Sequence, residues 1–362
     1  MPGSAKVSVV RCSDYGAVRE ALARLERLIP FPDVRGRTVV LKPNLLTDRL
    51  PEEAVTTHPL FLEAVIERFR RAGAAKLIVA DSPASAAALA GVLERTGIGD
   101  ACRRAGVPFV SLENGLRRFN RNGFSFCIAE EILRADLIVN LPKVKTHSLT
   151  LLTAAMKNFY GTVPGYEKAL LHREYSDVRR FSQLLRTICS VMPESFTIAD
   201  AVVGMEGNGP ANGTPVPLGF IAAGADPEAV DCALCGLLGI DSKKVPYLTR
   251  VPFERTGDAI AVRKIRRPTG LHLLKVFPPV LVRSLRGLLW VRPDFDGMKC
   301  RSCGRCAKVC PVKALENRID GTPRFQESLC VGCCCCHEIC PADAVRMRPS
   351  PLLKLMNAFK GL

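Results

Sequence analysis

Aromatic residues are few in this sequence, and the common motifs for binding nucleotides and nucleic acids are missing. Of the 362 residues, 6% are aromatic and one is tryptophan. Basic and aromatic side chains do not alternate in the way that a base-stacking surface requires. The spacings G-x-G-x-x-G and G-x-x-x-x-G-K-S/T do not occur either. We therefore expect no nucleic-acid partner, in spite of a formal net charge of +16.

The sequence also has no apolar leader and no convincing membrane span. Residues 1–6 are not an apolar run and lead directly into a strand-like segment, so we expect a reducing, cytoplasmic setting. The apolar segment 271–291 contains Lys275, Arg283 and Arg286, whose charges are costly at the centre of a bilayer. It predicts either packing between two domains or an amphipathic helix that makes peripheral contact with a membrane.

Short apolar runs alternate with amphipathic helical patterns over the first 240 residues. This alternation predicts an α/β fold, in which a mostly parallel sheet is layered with helices. The predicted strands cover residues 7–10, 38–41, 77–80, 137–141, 196–199 and 219–223. The clearest predicted helices cover residues 15–28, 60–71 and 177–191.

Cysteine is abundant and unevenly distributed, since ten of the 16 cysteines lie between Cys300 and Cys340. The spacing C-x2-C-x2-C-x3-C-P occurs twice, at an offset of 30 residues. Three cysteines in one loop followed by Cys-Pro are typical of bacterial two-cluster ferredoxins. Zinc sites, the alternative, usually combine two separate C-x2-C pairs, often with histidine. The repeat therefore predicts a small α+β ferredoxin-like domain that binds two 4Fe–4S clusters.

In such a repeat, the fourth cysteine of each copy ligates the other cluster. We expect Cys300, Cys303, Cys306 and Cys340 around the first cluster, and Cys330, Cys333, Cys336 and Cys310 around the second. Cys334 and Cys335 stay outside these sets, because the first copy has Gly304 and Arg305 at those places. The predicted organisation is an α/β domain at 1–250, a basic amphipathic connector at 251–297, the two-cluster domain at 298–347 and a tail at 348–362.

Polar residues follow three of the predicted strands at their carboxyl ends. They are Lys42, Asn44, Asp81, Lys143, Lys145 and His147. Ligands of open α/β sheets bind at this edge, and lysines that precede a predicted helix at 149–159 suit an anionic group at its N-terminus. We therefore expect a site for a small anionic ligand. The alternatives are caps and turns for Asn44 and Asp81, a structural hydrogen bond for His147, and a helix-end role for Lys157 and Asn158.

Several segments resemble the domain of unknown function 362 family. They are VVLKPNLL at 39–46, LPKVKTHSLT at 141–150, AAMKNFYGTVPG at 154–165, GMEGNGPANGTPV at 204–216 and GADPEAVD at 224–231. The similarity covers residues 7–250, and a C-terminal two-cluster ferredoxin module is common in this family. Its version of the second cysteine motif, CxxCxCCxExCP, also matches 330–341 and includes Cys335 and Glu338. The resemblance implies the architecture and no settled reaction.

Together, these patterns predict an iron–sulfur electron-transfer protein. It would pass single electrons to or from its α/β domain or a partner protein that acts as electron donor or acceptor. Two alternatives stay open. One is a redox enzyme that acts on a small anionic substrate at the strand ends, and the other is a redox adaptor that docks on a membrane or a partner.

Overall fold

The structure, a computed structural model, describes residues 4–83, 89–268, 288, 290–319 and 321–359. The strands are β1 (Ala5–Arg11), β2 (Thr38–Pro43), β3 (Lys76–Asp81), β4 (Phe109–Ser111), β5 (Leu116–Arg121), β6 (Phe124–Ala129), β7 (Leu137–Leu141), β8 (Lys143–His147), β9 (Leu151–Thr153), β10 (Ser195–Glu206), β11 (Thr214–Gly224), β12 (Phe253–Gly257), β13 (Val291–Phe295), β14 (Leu315–Glu316), β15 (Arg324–Phe325) and β16 (Val345–Pro349).

The helices are α1 (Val18–Leu28), α2 (Pro59–Arg71), α3 (Leu89–Arg95), α4 (Ile98–Ala105), α5 (Glu130–Leu133), α6 (Ala155–Asn158), α7 (Gly165–Glu174), α8 (Val178–Cys189), α9 (Pro227–Leu237), α10 (Arg305–Val309), α11 (Cys335–Ile339) and α12 (Pro351–Phe359). Short 3₁₀ turns occur at Tyr15–Ala17, Pro51–Glu53, Phe159–Thr162, Ser242–Lys244 and Glu327–Leu329.

A ten-stranded sheet organises the larger part of the chain. Its order is β12-β1-β11-β10-β7-β2-β3-β4, with β8 beside β10 and β9 beside β8. The pairing is parallel except that β9 and β11 run antiparallel to their neighbours. All six predicted strands lie in this sheet, which confirms the mostly parallel α/β architecture.

Both faces of the sheet are covered, and this explains the apolar runs in the sequence. Along β2, Val39 and Leu41 pack on one side with Phe61 of α2, whereas Val40 packs on the other side with Phe181 of α8. Successive side chains of a strand point to opposite faces, so a strand that is buried on both faces is apolar throughout. The carboxyl ends of the parallel strands are therefore the edge that remains for a site.

The helix predicted at 149–159 is wrong. The chain first forms the antiparallel hairpin of β8 and β9, and α6 begins only at Ala155. The backbone of Leu151 has a left-handed φ of 69°, which an α-helix does not accommodate. The first N–H groups of α6 donate to the carboxylate of Asp231 on α9, at 2.6 and 3.1 Å. This acceptor is distant in sequence, and the lysines of β8 lie within a strand and not at a helix N-terminus.

The cysteine-rich region repeats its backbone as well as its sequence. Helices α10 and α11 begin 30 residues apart and follow Gly304 and Cys334, whose φ angles are 69° and 66°. Lys313 and Asp343 form a second such pair, with φ angles of 51° and 49°. Two small antiparallel sheets, β13 with β16 and β14 with β15, complete the region. Cys334 therefore takes up the left-handed position that glycine occupies in the first copy.

The chain beyond residue 250 contributes to both parts of the structure. β12 pairs with β1, so residues 253–257 lie in the large sheet. Of the amphipathic segment 271–291, only Leu288, Trp290 and Val291 fall within the described residues. Among the helices that the structure describes, none is both long enough and apolar enough to cross a bilayer.

Removing the Asp231 carboxylate tests the long-range cap of α6. We expect Asp231→Ala to lower the free energy of unfolding by about 2 kcal/mol, because two N–H groups lose their buried acceptor. The control is Asp241→Ala, since Asp241 caps an exposed turn by accepting from the N–H of Lys243 and its loss should cost less than about 1 kcal/mol. Urea unfolding followed by circular dichroism measures both variants, and equal losses would contradict a special role for Asp231.

Candidate functional site

Eight of the clustered cysteines surround two hollows in the C-terminal region. The first is lined by Cys300, Cys303, Cys306 and Cys340, and the second by Cys310, Cys330, Cys333 and Cys336. Each hollow thus takes three thiols from one copy of the repeat and one from the other. Cys334 and Cys335 also line the second hollow. The grouping fits the crossed ligation that two-cluster ferredoxins use.

The backbone beside the fourth cysteine of each copy suits a thiolate. The N–H of Ala314 donates to Sγ of Cys310 at 3.2 Å, and the N–H of Ala344 donates to Sγ of Cys340 at 3.3 Å. Such bonds stabilise negative charge on sulfur and help to set the potential of a cluster. Within the described residues, no three His, Cys, Asp or Glu side chains converge on a position for a single metal ion. The thiols are instead spread around each hollow.

The C-terminal region docks on the α/β domain through charged and main-chain hydrogen bonds. Both Nη atoms of Arg305 donate to the carboxylate of Asp48, at 2.5 and 2.9 Å. Arg49 donates to the carbonyl oxygen of Cys340 at 2.8 Å, and Asn212 donates to that of His337 at 2.8 Å. Bidentate arginine–carboxylate pairs fix geometry as well as adding energy. The arginine–carboxylate pair anchors α10, and the bonds of Arg49 and Asn212 hold α11 and its C-terminal end.

A cavity of about 90 Å³ lies where α11 meets the carboxyl ends of the strands, with room for several water molecules or a small organic ion. Its polar lining comes from both parts of the chain: Asn44, Asp81, Ser82, Lys145, Thr153, Lys157, Asn158, Tyr160, Lys168, His172, Cys335 and Glu338. Cys335 also lines the second thiol hollow, so the cavity and that hollow share one wall.

Of the six strand-end residues predicted for a ligand site, three line this cavity and three do not. Those that line it are Asn44, Asp81 and Lys145, and the others are Lys42, Lys143 and His147. Nζ of Lys145 donates to Oδ1 of Asn44 at 2.7 Å. His147 lies behind the cavity wall, and its Nε2 is 3.4 Å from Oε1 of Glu338. The strand-end pattern thus includes part of the lining of this cavity, and the ligand site itself stays a prediction.

Lys42 and Lys143 are held in buried ion pairs. Lys42 lies 3.0 Å from Asp81, and Lys143 lies 2.8 Å from Asp200. Burial lowers the pKa of both lysines, while the facing carboxylates act in the opposite direction. Gly161 packs so closely that a Cβ there would lie 2.4 Å from Nζ of Lys42. Both lysines therefore tie neighbouring strands together at the edge of the sheet.

Three further residues of the lining, Lys157, Asn158 and Lys168, were not predicted as ligand residues. In the described part of the chain, Nζ of Lys157 has neither a hydrogen bond nor a carboxylate within 4 Å, and it lies 5.8 Å from the ring centroid of Tyr160. Burial lowers the pKa of Lys157 and lowers that of Lys168 to about 8. Lys157 and Asn158 lie in the segment 154–165, which is one of the segments that resemble the family. That resemblance is the sequence signal that could have identified these two residues as candidates.

Two oxygen atoms around the cavity, Oγ1 of Thr153 and Oδ1 of Asn158, lack a hydrogen-bond partner among the described residues. Oε1 of Glu338 accepts no hydrogen bond there either, but it lies 3.4 Å from Nε2 of His147. Buried polar atoms are nearly always bonded to protein or ordered water, because an unpaired one carries a desolvation penalty. The arrangement therefore suits a polar occupant of the cavity.

Replacing Lys143 tests whether it is structural. We expect Lys143→Met to lower the free energy of unfolding by about 3–5 kcal/mol, because the buried carboxylate of Asp200 loses its partner. Adding Asp200→Asn should recover part of this loss, since the second change removes the uncompensated charge. The exposed Lys243→Met is the control and should change stability by less than about 0.5 kcal/mol. Chemical denaturation measures all three, and a double variant no more stable than Lys143→Met would contradict the pairing.

Known proteins share both parts of this chain. Residues 39–236 match a domain of unknown function, DUF362, and residues 293–316 match a 4Fe-4S binding domain. The chain is 34% identical over 259 residues, which are 69% of its length and 79% of the relative's, to the thylakoid-associated protein sll1697 of Synechocystis sp.. The lactate racemase apoprotein of Thermoanaerobacterium thermosaccharolyticum aligns with 63% of this chain and 55% of its own, at 13% identity and a TM-score of 0.42. The family match and the relative confirm the resemblance seen in the sequence: the chain belongs to the DUF362 family and carries a 4Fe-4S binding domain.

Proposed function

We propose that this chain is an electron-transfer protein with two 4Fe–4S clusters, which passes single electrons between a partner protein and the edge of its α/β domain. The 4Fe-4S binding domain supports the iron–sulfur character. The observation that carries the proposal is the grouping of eight thiols around two hollows, each with three cysteines from one copy and the fourth from the other. When bound, each cluster supplies one-electron redox chemistry.

The first hollow lies on the side that a partner protein can reach. Cys303 is exposed, and the neighbouring cations Arg301 and Lys308 are exposed as well. Surface cations favour association with a partner of opposite charge and speed its encounter. The partner that fits this side is an electron carrier with an acidic surface.

The second hollow faces the α/β domain. Cys335 separates it from the cavity, and Lys157 lines that cavity beside Cys335 and Glu338. Cations near a cluster with four thiolates offset its net negative charge and favour the reduced form. Arg49 and Asn212 hold α11 at this wall by their bonds to main-chain carbonyl groups. Electrons that reach the second cluster are therefore delivered beside the strand-end cavity.

The crossed ligand sets are tested by comparing cysteine variants after anaerobic reconstitution. We expect about eight irons in the wild type and a fall towards about four when one ligand is replaced by alanine. The cluster that remains in Cys340→Ala should have the EPR spectrum of Cys300→Ala, because both lose the first cluster. The cluster that remains in Cys310→Ala should match Cys330→Ala.

The control is Cys334→Gly, which restores the residue of the first copy at a left-handed position and should keep about eight irons. Two outcomes contradict the proposal. A wild type with clearly fewer than about eight irons excludes two intact clusters. A Cys340→Ala spectrum that matches Cys330→Ala excludes crossed ligation.

A further inference from the structure

The lining of the strand-end cavity carries more ammonium groups than carboxylates. Three lysines line it, Lys145, Lys157 and Lys168, together with two carboxylates, Asp81 and Glu338. Asp81 is already paired with Lys42, which lies outside the lining. Within the lining, the three ammonium groups thus face one further carboxylate, Glu338, whose charge acts on Lys145 and Lys157, while Glu113 acts on Lys168.

The three lysines differ in their hydrogen-bond acceptors, and the comparison shows which ammonium group lacks one. Lys145 donates to Oδ1 of Asn44 and to the carbonyl oxygen of Val55, at 2.7 and 2.6 Å, and Lys168 donates to the carbonyl oxygen of Ser82. These acceptors are neutral. Lys157 has no acceptor at all among the described residues, although an ammonium group carries three donors. It is the group that an anion in the cavity would satisfy first.

Independent support comes from the uncharged polar atoms of the lining. Thr153 is 4% exposed and Asn158 is 2% exposed. Oγ1 of Thr153 and Oδ1 of Asn158 have no hydrogen-bond partner among the described residues. The hydroxyl group of Thr153 can donate to an anion, while Asn158 Oδ1 accepts from a hydroxyl group or a bound water. Unpartnered, deeply buried side chains beside an unpaired lysine are the features of a preformed polar site.

We propose that this cavity binds a small carboxylate or similar oxyanion, with Lys157 as its main charge partner and Lys168 and Thr153 completing the site. A volume of about 90 Å³ suits a ligand of a few non-hydrogen atoms. The ligand lies across the Cys335 wall from the second thiol hollow. A redox role for this ligand rests on the proposed electron-transfer function, whereas the binding of the ligand does not.

Cluster charge is the competing explanation for the lysines. A bound four-thiolate cluster in the second hollow is negative, and Lys157 could serve only to balance it. In that case the loaded protein would bind no anion, and removing the charge of Lys157 would lower the reduction potential of the second cluster. The two explanations therefore differ in what the loaded wild-type protein binds.

The experiment is anaerobic isothermal titration calorimetry of the reconstituted full chain with acetate, oxalate and inorganic phosphate at constant ionic strength. We expect at least one of these anions to bind the wild type with one-to-one stoichiometry. Lys157→Met should weaken its binding by about tenfold or more, because a charge-assisted hydrogen bond is lost. Lys168→Met should weaken it as well, and the exposed Lys243→Met should bind like the wild type. Iron content and EPR spectra that match the wild type show that the variants are folded and loaded.

Absence of binding by all three anions to the loaded wild type overturns the inference, and so does equal binding to wild type and Lys157→Met. A lowered cluster potential in Lys157→Met without anion binding identifies charge balance as the role of this lysine, which also overturns it. Failure of the proposed electron-transfer function is recognised separately. It shows as a low iron content in the wild type, while Lys157-dependent anion binding persists.

Discussion

Burial of lysine at the carboxyl edge of the sheet is the constraint on which the rest of the site depends. An ammonium group removed from water needs a carboxylate or several acceptors around it. Lys42 meets this need across β2 and β3 through Asp81, and Lys143 meets it across β8 and β10 through Asp200. Because each pair joins neighbouring strands, it also fixes the ends of those strands. Lys157 differs from both, because it is only partly buried, faces the cavity and has no hydrogen-bond acceptor among the described residues.

The two copies of the cysteine repeat have kept the same backbone and acquired different surroundings. In the first copy, Arg305 anchors the region to Asp48 and Lys308 is exposed. The equivalent positions of the second copy are Cys335 and Glu338, which line the strand-end cavity. The first copy therefore faces solvent and presents cations that a partner protein can contact. The other closes a cavity against the α/β domain, so the duplication gives the region two distinct sides.

Much of the fold could be predicted because local patterns record it. Strands buried on both faces are continuous apolar runs, and the six that were predicted lie in the observed sheet. The helix predicted at 149–159 was wrong for a nonlocal reason: α6 starts where Asp231, on α9, accepts its first N–H groups. The antiparallel direction of β11 is equally a matter of pairing with β1 and β10. Contacts between distant segments leave no periodicity in the sequence.

The candidate site divides in the same way. The spacing of the cysteines and the position of polar residues after strands are local properties of the chain. The sequence by itself therefore determined the iron–sulfur repeat and the edge of the sheet where Asn44, Asp81 and Lys145 lie. Only the tertiary structure decided which lysines are neutralised and which face the cavity. Three features depend on distances between segments that are far apart in the chain: the pairing of Lys42, the exposure of Lys157 to the cavity and the wall formed by Cys335. The reason is that the interaction between two charges depends on their distance in space and not on their order in the sequence.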